Sequence, residues 1–172
     1  DAILTTVLGS CIAVCLYDTI RGIGGMNHFL LPNREGADGE NVRYGAYAME
    51  LLINGLLKKG ADRARLEAKY FGGGNMIGTL QNIGGSNAEF ARQFLSDEGI
   101  PCLAESTGGT QARRIRFWPT SGRVPLQWNP SNPVSFPRRL STVSLCSRSP
   151  DLFDWHPHGK LTTCLMGGDY LL

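Results

Sequence analysis

The sequence contains no apolar run approaching the length of a membrane-spanning helix, and no secretory signal opens it. It also lacks any Cys-x-x-Cys pair. The five cysteines, Cys11, Cys15, Cys102, Cys146 and Cys164, are odd in number, which disfavours a complete disulfide framework. Cys146, His156, His158 and Cys164 fall at spacings that fit no common zinc module. Reduced thiols in a cytoplasmic protein without metal or cofactor are therefore expected. Charge of one sign is also scarce: the net charge is +2 and charged residues make up 19% of the chain. No basic stripe with interleaved aromatics is present, so neither nucleic acid nor membrane insertion is expected. Gly72-Gly73-Gly74-Asn75 follows a strand-like run but has neither the GxGxxG nor the GxxxxGK[ST] spacing. Close backbone packing suits that loop better than a phosphate does.

The chain does contain enough for one domain with a substantial core: 172 residues, 42% of them hydrophobic. Its organising stretch is Thr5 to Pro32. Ile12, Val14 and Leu16 alternate with Cys11, Ala13, Cys15 and Tyr17, which reads as a strand apolar on both faces. Asp18 to Gly22 reads as a turn, Ile23 to Leu31 as the returning strand, and Pro32 as its end. Pairing Asp18 with Arg21 sets Cys11 directly opposite His28, on the same face and within reach of a thiol–imidazole hydrogen bond. A one-residue slip, for instance at a bulge at Gly24-Gly25, would send them to opposite faces.

A Cys beside a His is the arrangement of a thiol nucleophile and its general base. The competing reading is a buried small hydrophobe next to a satisfied core imidazole. Gly9 and Ser10, just before Cys11, favour the chemical reading. They allow a tight turn and leave N–H groups to point at an oxyanion. Thr5 offers a third polar group.

These residues resemble the CheD family of bacterial chemoreceptor glutamine deamidases. The likeness runs through Thr5, Leu8-Gly9-Ser10-Cys11, Tyr17-Asp18 and Gly25 to Pro32. It continues through Glu67-Ala68-Lys69, Phe71 to Met76, Asn82-Ile83-Gly84, Asn87, Glu105 to Gly109 and Arg113 to Val124. It covers roughly residues 2–124 in the family's motif order. The resemblance implies Cys11, His28 and Thr5 as catalytic residues and a cysteine-hydrolase fold shared with cytotoxic necrotizing factor toxins. It implies methyl-accepting chemoreceptor cytoplasmic domains as substrate, and a CheC-type phosphatase as partner in organisms that have one. Family members carry a further stretch, including a strand, before the threonine, so an incomplete sheet edge is expected at residue 1.

Further along, 33–41 reads as a loop. A helix stripe follows at Tyr44, Tyr47, Ala48, Leu51, Leu52 and Leu56, closed by Lys58, Lys59 and Gly60. Arg65 to Phe71 reads as a strand. Ser86-x-x-Glu89 reads as a capping box opening a helix that buries Phe90, Ala91, Phe94 and Leu95 and stops at Gly99. Strands are expected over Ile100 to Glu105 and Arg113 to Trp118, the latter with its arginines on a solvated face. The result is an α/β (α+β) layered sandwich, with a mixed β-sheet and packed helices, over residues 1–124. Residues 125–172 hold six of the nine prolines and show no sustained period. They are expected to be an irregular tail on which neither Trp128 nor Trp155 packs.

The expected function is hydrolysis of protein glutamine side chains to glutamate through a Cys11 thioester, with His28 as the base, Gly9 and Ser10 at the oxyanion, and Thr5 orienting His28 or the substrate amide. A non-catalytic receptor- or phosphatase-binding adaptor is the alternative, although an adaptor has no need of Thr5, Cys11 and His28. An amine in place of water as acyl acceptor would give transglutamination.

Overall fold

The computed structural model describes residues 2–31, 38–76, 82–128 and 161–166. Its elements run β1 (Leu4–Leu8), β2 (Ile12–Asp18), β3 (Ile23–Phe29), α1 (Asp38–Lys58), β4 (Glu67–Gly72) and α2 (Ile83–Asp97). Then come β5 (Cys102–Thr107), β6 (Arg113–Phe117), β7 (Leu126–Trp128) and β8 (Leu161–Met166). The larger sheet has the order β5-β4-β2-β3-β8 and the smaller β1-β6-β7. Among the described strands only β4 and β5 pair in parallel, so the larger sheet is mixed.

β2 is central because its sequence is apolar on both faces, and all seven of its residues are buried. Ile12, Val14 and Leu16 pack against Ala48, Met49, Leu52, Ile53 and Leu56 of α1 and Ala91 and Leu95 of α2. Ala13, Cys15 and Tyr17 face the other way, onto Leu4, Leu8, Ile115 and Phe117 of the smaller sheet. Three layers follow: helices, five-stranded sheet, three-stranded sheet. This is the α+β sandwich the pattern predicts.

The β2–β3 hairpin forms in a register two residues away from the expected one. Asp18 pairs with Ile23 and Ala13 with His28. The Asp18 side chain decides this. It accepts the N–H groups of Ile20 and Arg21 at 3.0 and 3.1 Å, which stabilises a four-residue loop rather than a two-residue turn. A shift of two preserves the face of every side chain, whereas a shift of one would have reversed them.

Four other expectations change. α1 begins at Asp38, inside the stretch read as loop. α2 begins at Ile83, capped by Asn82 accepting the Gly85 N–H; Ser86 lies within its first turn and donates its hydroxyl back to the Asn82 carbonyl. No capping box forms. Arg113 is not on a solvated face but fully buried: its strand alternates inward at Arg113, Ile115 and Phe117. Its guanidinium donates to the carbonyls of Ser106 and Gly108 and stacks over Trp128, 4.9 Å from the ring centroid. Finally, two segments of the stretch expected to be irregular are strands. β7 extends β6, and β8 pairs along the whole of β3. Trp155 lies outside the described residues.

Candidate active site

Cys11 lies in the bend between β1 and β2, one residue before the central strand. It packs, half-buried, against the core between the two sheets. His28 is near the end of β3, directly across from Ala13. Because Cys11 precedes Ala13 by two residues, the preserved alternation keeps it on the His28 side of the larger sheet.

On that side His28 meets β1. Its Nδ1 is hydrogen-bonded to Thr6 Oγ1 at 3.0 Å. The threonine on the imidazole is therefore Thr6 and not Thr5. Leu4, Thr6 and Leu8 are the buried positions of β1, while Thr5 and Val7 alternate to its other face. This signal was present in the sequence, since Leu4 and Leu8 bracket Thr6 with period two. Burial pulls the His28 pKa down from its ordinary 6.5 to about 4, so the ring is neutral at pH 7. Burial has the opposite effect on Cys15, whose thiol is pushed above the ordinary range despite the charge of nearby Lys69. Burial raises the Tyr44 hydroxyl of α1 to about 12, with nearby Cys11 adding to the shift.

The loop carrying Gly9, Ser10 and Cys11 is held by three consecutive carbonyls. Gly74 N–H donates to Gly9 at 2.7 Å and Gly73 N–H to Cys11 at 2.8 Å. Asn87 Nδ2 donates to Ser10 at 3.0 Å. The Gly-rich run thus serves close backbone approach, as its lack of a phosphate-loop spacing suggested. Gly72 sits at φ +118°, and a Cβ there would lie 2.1 Å from the Cys11 carbonyl oxygen. The run is braced in turn by the next loop: Gly108 N–H donates to Gly72 O and Asn75 N–H to Gly109 O.

The family model described as "CheD chemotactic sensory transduction" matches residues 30–127. The chain belongs to the CheD family. A relative from Caulobacter sp. (strain K31), called "Probable chemoreceptor glutamine deamidase CheD", is 66% identical over 128 residues, covering 72% of this chain and 67% of the relative. A protein of the same description from Agrobacterium fabrum is 52% identical over 149 residues, covering 86% and 80%. A third, from Caulobacter vibrioides (strain NA1000 / CB15N), is 61% identical over 126 residues, covering 72% and 67%.

No helix among the described residues of this CheD-family chain is long and apolar enough to cross a membrane. Among those residues no group of three or more His, Cys, Asp and Glu side chains is placed to hold a metal ion. Cys146, His156 and His158 lie outside them. Neither Thr6 nor Asn87 has a role that the sequence alone assigns, although Asn87 is among the residues that carry the family likeness.

Proposed function

We propose that this chain is a protein-glutamine deamidase, a cysteine amidohydrolase that converts chemoreceptor glutamines to glutamates in chemotaxis signalling. The observation that carries the reading is the His28–Thr6 bond on the Cys11 side of the larger sheet. An imidazole tethered at Nδ1 and kept neutral by burial is a base ready to take a proton. The relatives' shared description supports the substrate class.

In the tautomer that suits this role, Nδ1–H donates to Thr6 Oγ1 and Nε2 carries the basic lone pair. Nε2 takes the Cys11 thiol proton as sulfur attacks the glutamine Cδ. The oxyanion collapses, the C–N bond breaks, and the proton leaves with nitrogen as ammonia. Water, deprotonated by the same Nε2, then cleaves the thioester to give glutamate and a free thiol. Backbone N–H groups of the Gly9-Ser10-Cys11 loop hold the oxyanion, a contribution of several kcal/mol in enzymes of this kind. The hydroxyl that orients His28 in this scheme is that of Thr6, while Thr5 alternates to the other face of β1.

The substrates in this reading are the cytoplasmic domains of methyl-accepting chemoreceptors, the location is the cytoplasm, and a CheC-type phosphatase is a partner in organisms that have one. The test incubates a receptor cytoplasmic segment with the chain and with its Cys11→Ala variant, followed by ammonia release and peptide mass spectrometry. Amide-to-acid conversion at glutamine by the wild type alone is the expected result. Receptor binding with no conversion would replace this reading with the adaptor, and incorporation of an added amine would replace it with transglutamination.

A further inference from the structure

We infer that Asn87 is a positioning residue for the oxyanion site, acting through the Ser10–Cys11 peptide. The inference rests on the reading of Cys11 as the acylated nucleophile.

Asn87 lies in the first turns of α2 and is fully buried. Both ends of its amide are engaged. Oδ1 accepts the Leu31 N–H at 2.9 Å, and Nδ2 donates to the Ser10 carbonyl at 3.0 Å. These two bonds leave the amide one orientation, because exchanging its nitrogen and oxygen would set donor against donor and acceptor against acceptor. One side chain therefore ties together the cysteine loop and the segment that leaves β3 just after His28, 77 and 56 residues away in sequence.

The Ser10 carbonyl and the Cys11 N–H belong to one planar trans peptide, in which C=O and N–H point to opposite sides. Asn87 draws the carbonyl toward the helix layer, where α2 packs with Ala91 and Leu95. The Cys11 N–H is thereby turned toward the opposite layer. That is the side on which Cys11 packs and His28 meets Thr6. Gly74 and Gly73 hold the peptides on either side through the Gly9 and Cys11 carbonyls, and the Asn87 bond to the Ser10 carbonyl sets the plane of the middle one, which is free to turn when that bond is lost. A donor held beside the attacking sulfur before substrate arrives is the arrangement that stabilises a tetrahedral oxyanion without reorganisation.

A purely structural role and this one differ in which reactions of Cys11 they affect. Acylation by p-nitrophenyl acetate forms an S–C bond at a carbonyl, passes through an oxyanion and expels nitrophenolate. Alkylation by iodoacetamide displaces iodide at a saturated carbon and forms no oxyanion. The experiment measures both rates at Cys11 in the full chain, for wild type, Asn87→Ala and Asn87→Asp. Asp keeps the acceptor for Leu31 N–H and loses the donor to Ser10, so it carries the test should the Ala variant fail to fold. The expected result is a fall in acylation of about 10²–10³-fold, as for removal of one oxyanion donor, with alkylation changed by less than about threefold. Equal losses in both reactions, or unchanged acylation, overturn the inference. Ammonia release from glutamine is followed separately: its absence in a wild type that still acylates would count against the deamidase reading, and the Asn87 comparison would stand on its own.

Discussion

Thr6 and His28 are bonded across the interface between two sheets. Thr6 belongs to β1 of the three-stranded sheet and His28 to β3 of the five-stranded one. The orientation of the imidazole therefore depends on how the two sheets pack, a property of the whole core between them. Replacing Thr6 by Val keeps its shape and removes the bond. Activity is expected to fall roughly tenfold, for a hydrogen bond worth about 1–2 kcal/mol. Thr5→Val should stay close to wild type, since its side chain alternates away from His28. Steady-state rates of the two variants decide the matter; a larger loss from Thr5→Val would return the orienting role to Thr5.

Cys11 and Cys15 should behave as different kinds of thiol. Cys11→Ala is expected to abolish deamidation and leave the thermal unfolding cooperative. Cys15 is fully buried between the sheets, with its thiol pushed up by desolvation. Cys15→Ala should leave the rate per folded molecule unchanged and cost about 1 kcal/mol, the scale of one buried methylene-sized group. Peptide-resolved iodoacetamide labelling of the native protein should mark Cys11 and exposed Cys102 and spare Cys15. Rapid labelling of Cys15 would show that the inter-sheet core opens.

The depressed pKa of His28 makes a signed prediction about acid. The unfolded chain titrates this ring at 6.5, and the folded one near 4. Between those values the unfolded state binds more protons, so stability falls as pH drops through that window and is unaffected above it. The loss amounts to about 2–3 kcal/mol by pH 4. Asp18 adds a separate loss at lower pH. Burial alone would raise its carboxyl, but the Asp62 N–H, the Arg65 guanidinium and the Arg21 N–H outweigh burial and hold it near 2. Its stabilisation disappears as pH falls from 3.8. Denaturant titrations of wild type and His28→Asn at pH 7 and 5 test the upper window. The wild type should lose stability between them, and the variant should lose much less. Parallel losses would mean that another group titrates there.

The layered fold was legible because its evidence is periodic. β2 reads as apolar on both faces, and the α1 stripe from Tyr44 to Leu56 follows the helical repeat. What could not be read depends on side chains that meet across long sequence gaps. Asp18 resets the hairpin by two residues through bonds to Ile20 and Arg21, and alternation alone does not distinguish registers that differ by two. Arg113 was misassigned because a fully buried guanidinium requires carbonyl partners, and those lie in a loop at Ser106 and Gly108. The cysteine loop was identified from Gly9-Ser10-Cys11. Its anchors, Gly73, Gly74 and Asn87, are more than 60 residues further on. Thr6 is the exception, since the alternation of Leu4 and Leu8 already pointed it inward.

Gly72 and Gly22 separate strain from contact. Both have positive φ, +118° and +63°. At Gly22 an added Cβ meets nothing within 4 Å, whereas at Gly72 it lands 2.1 Å from the Cys11 carbonyl oxygen. Gly22→Ala should cost only the conformational term of about 1 kcal/mol and leave activity intact. Gly72→Ala must in addition displace the cysteine loop, so it should lose most of its turnover and melt lower than Gly22→Ala. Equal effects of the two substitutions in melting and rate assays would refute the coupling between the Gly-rich run and Cys11.

Composition places the end of the working domain at Val124, but β7 extends the smaller sheet beyond that point, and Trp128 provides the ring over which the buried Arg113 stacks. The Agrobacterium relative matches 86% of this chain, a span that has to run past Val124. Two truncations separate the contributions. A chain ending at Trp128 keeps β7 and loses β8, which sets Thr162 across from His28 and covers the edge of β3. It should fold and retain its catalytic residues, with an exposed strand edge that promotes association at high concentration. A chain ending at Val124 also loses Trp128 and the three β6–β7 pairs. It leaves a buried guanidinium without its aromatic cover, a contact worth about 1–2 kcal/mol when desolvated. It should therefore melt measurably below the longer truncation and cleave faster under limited proteolysis at β6. Identical melting of the two would mean that β7 adds nothing to the core and that the boundary lies at Val124. Loss of folding in both would make β8 an integral strand of the larger sheet.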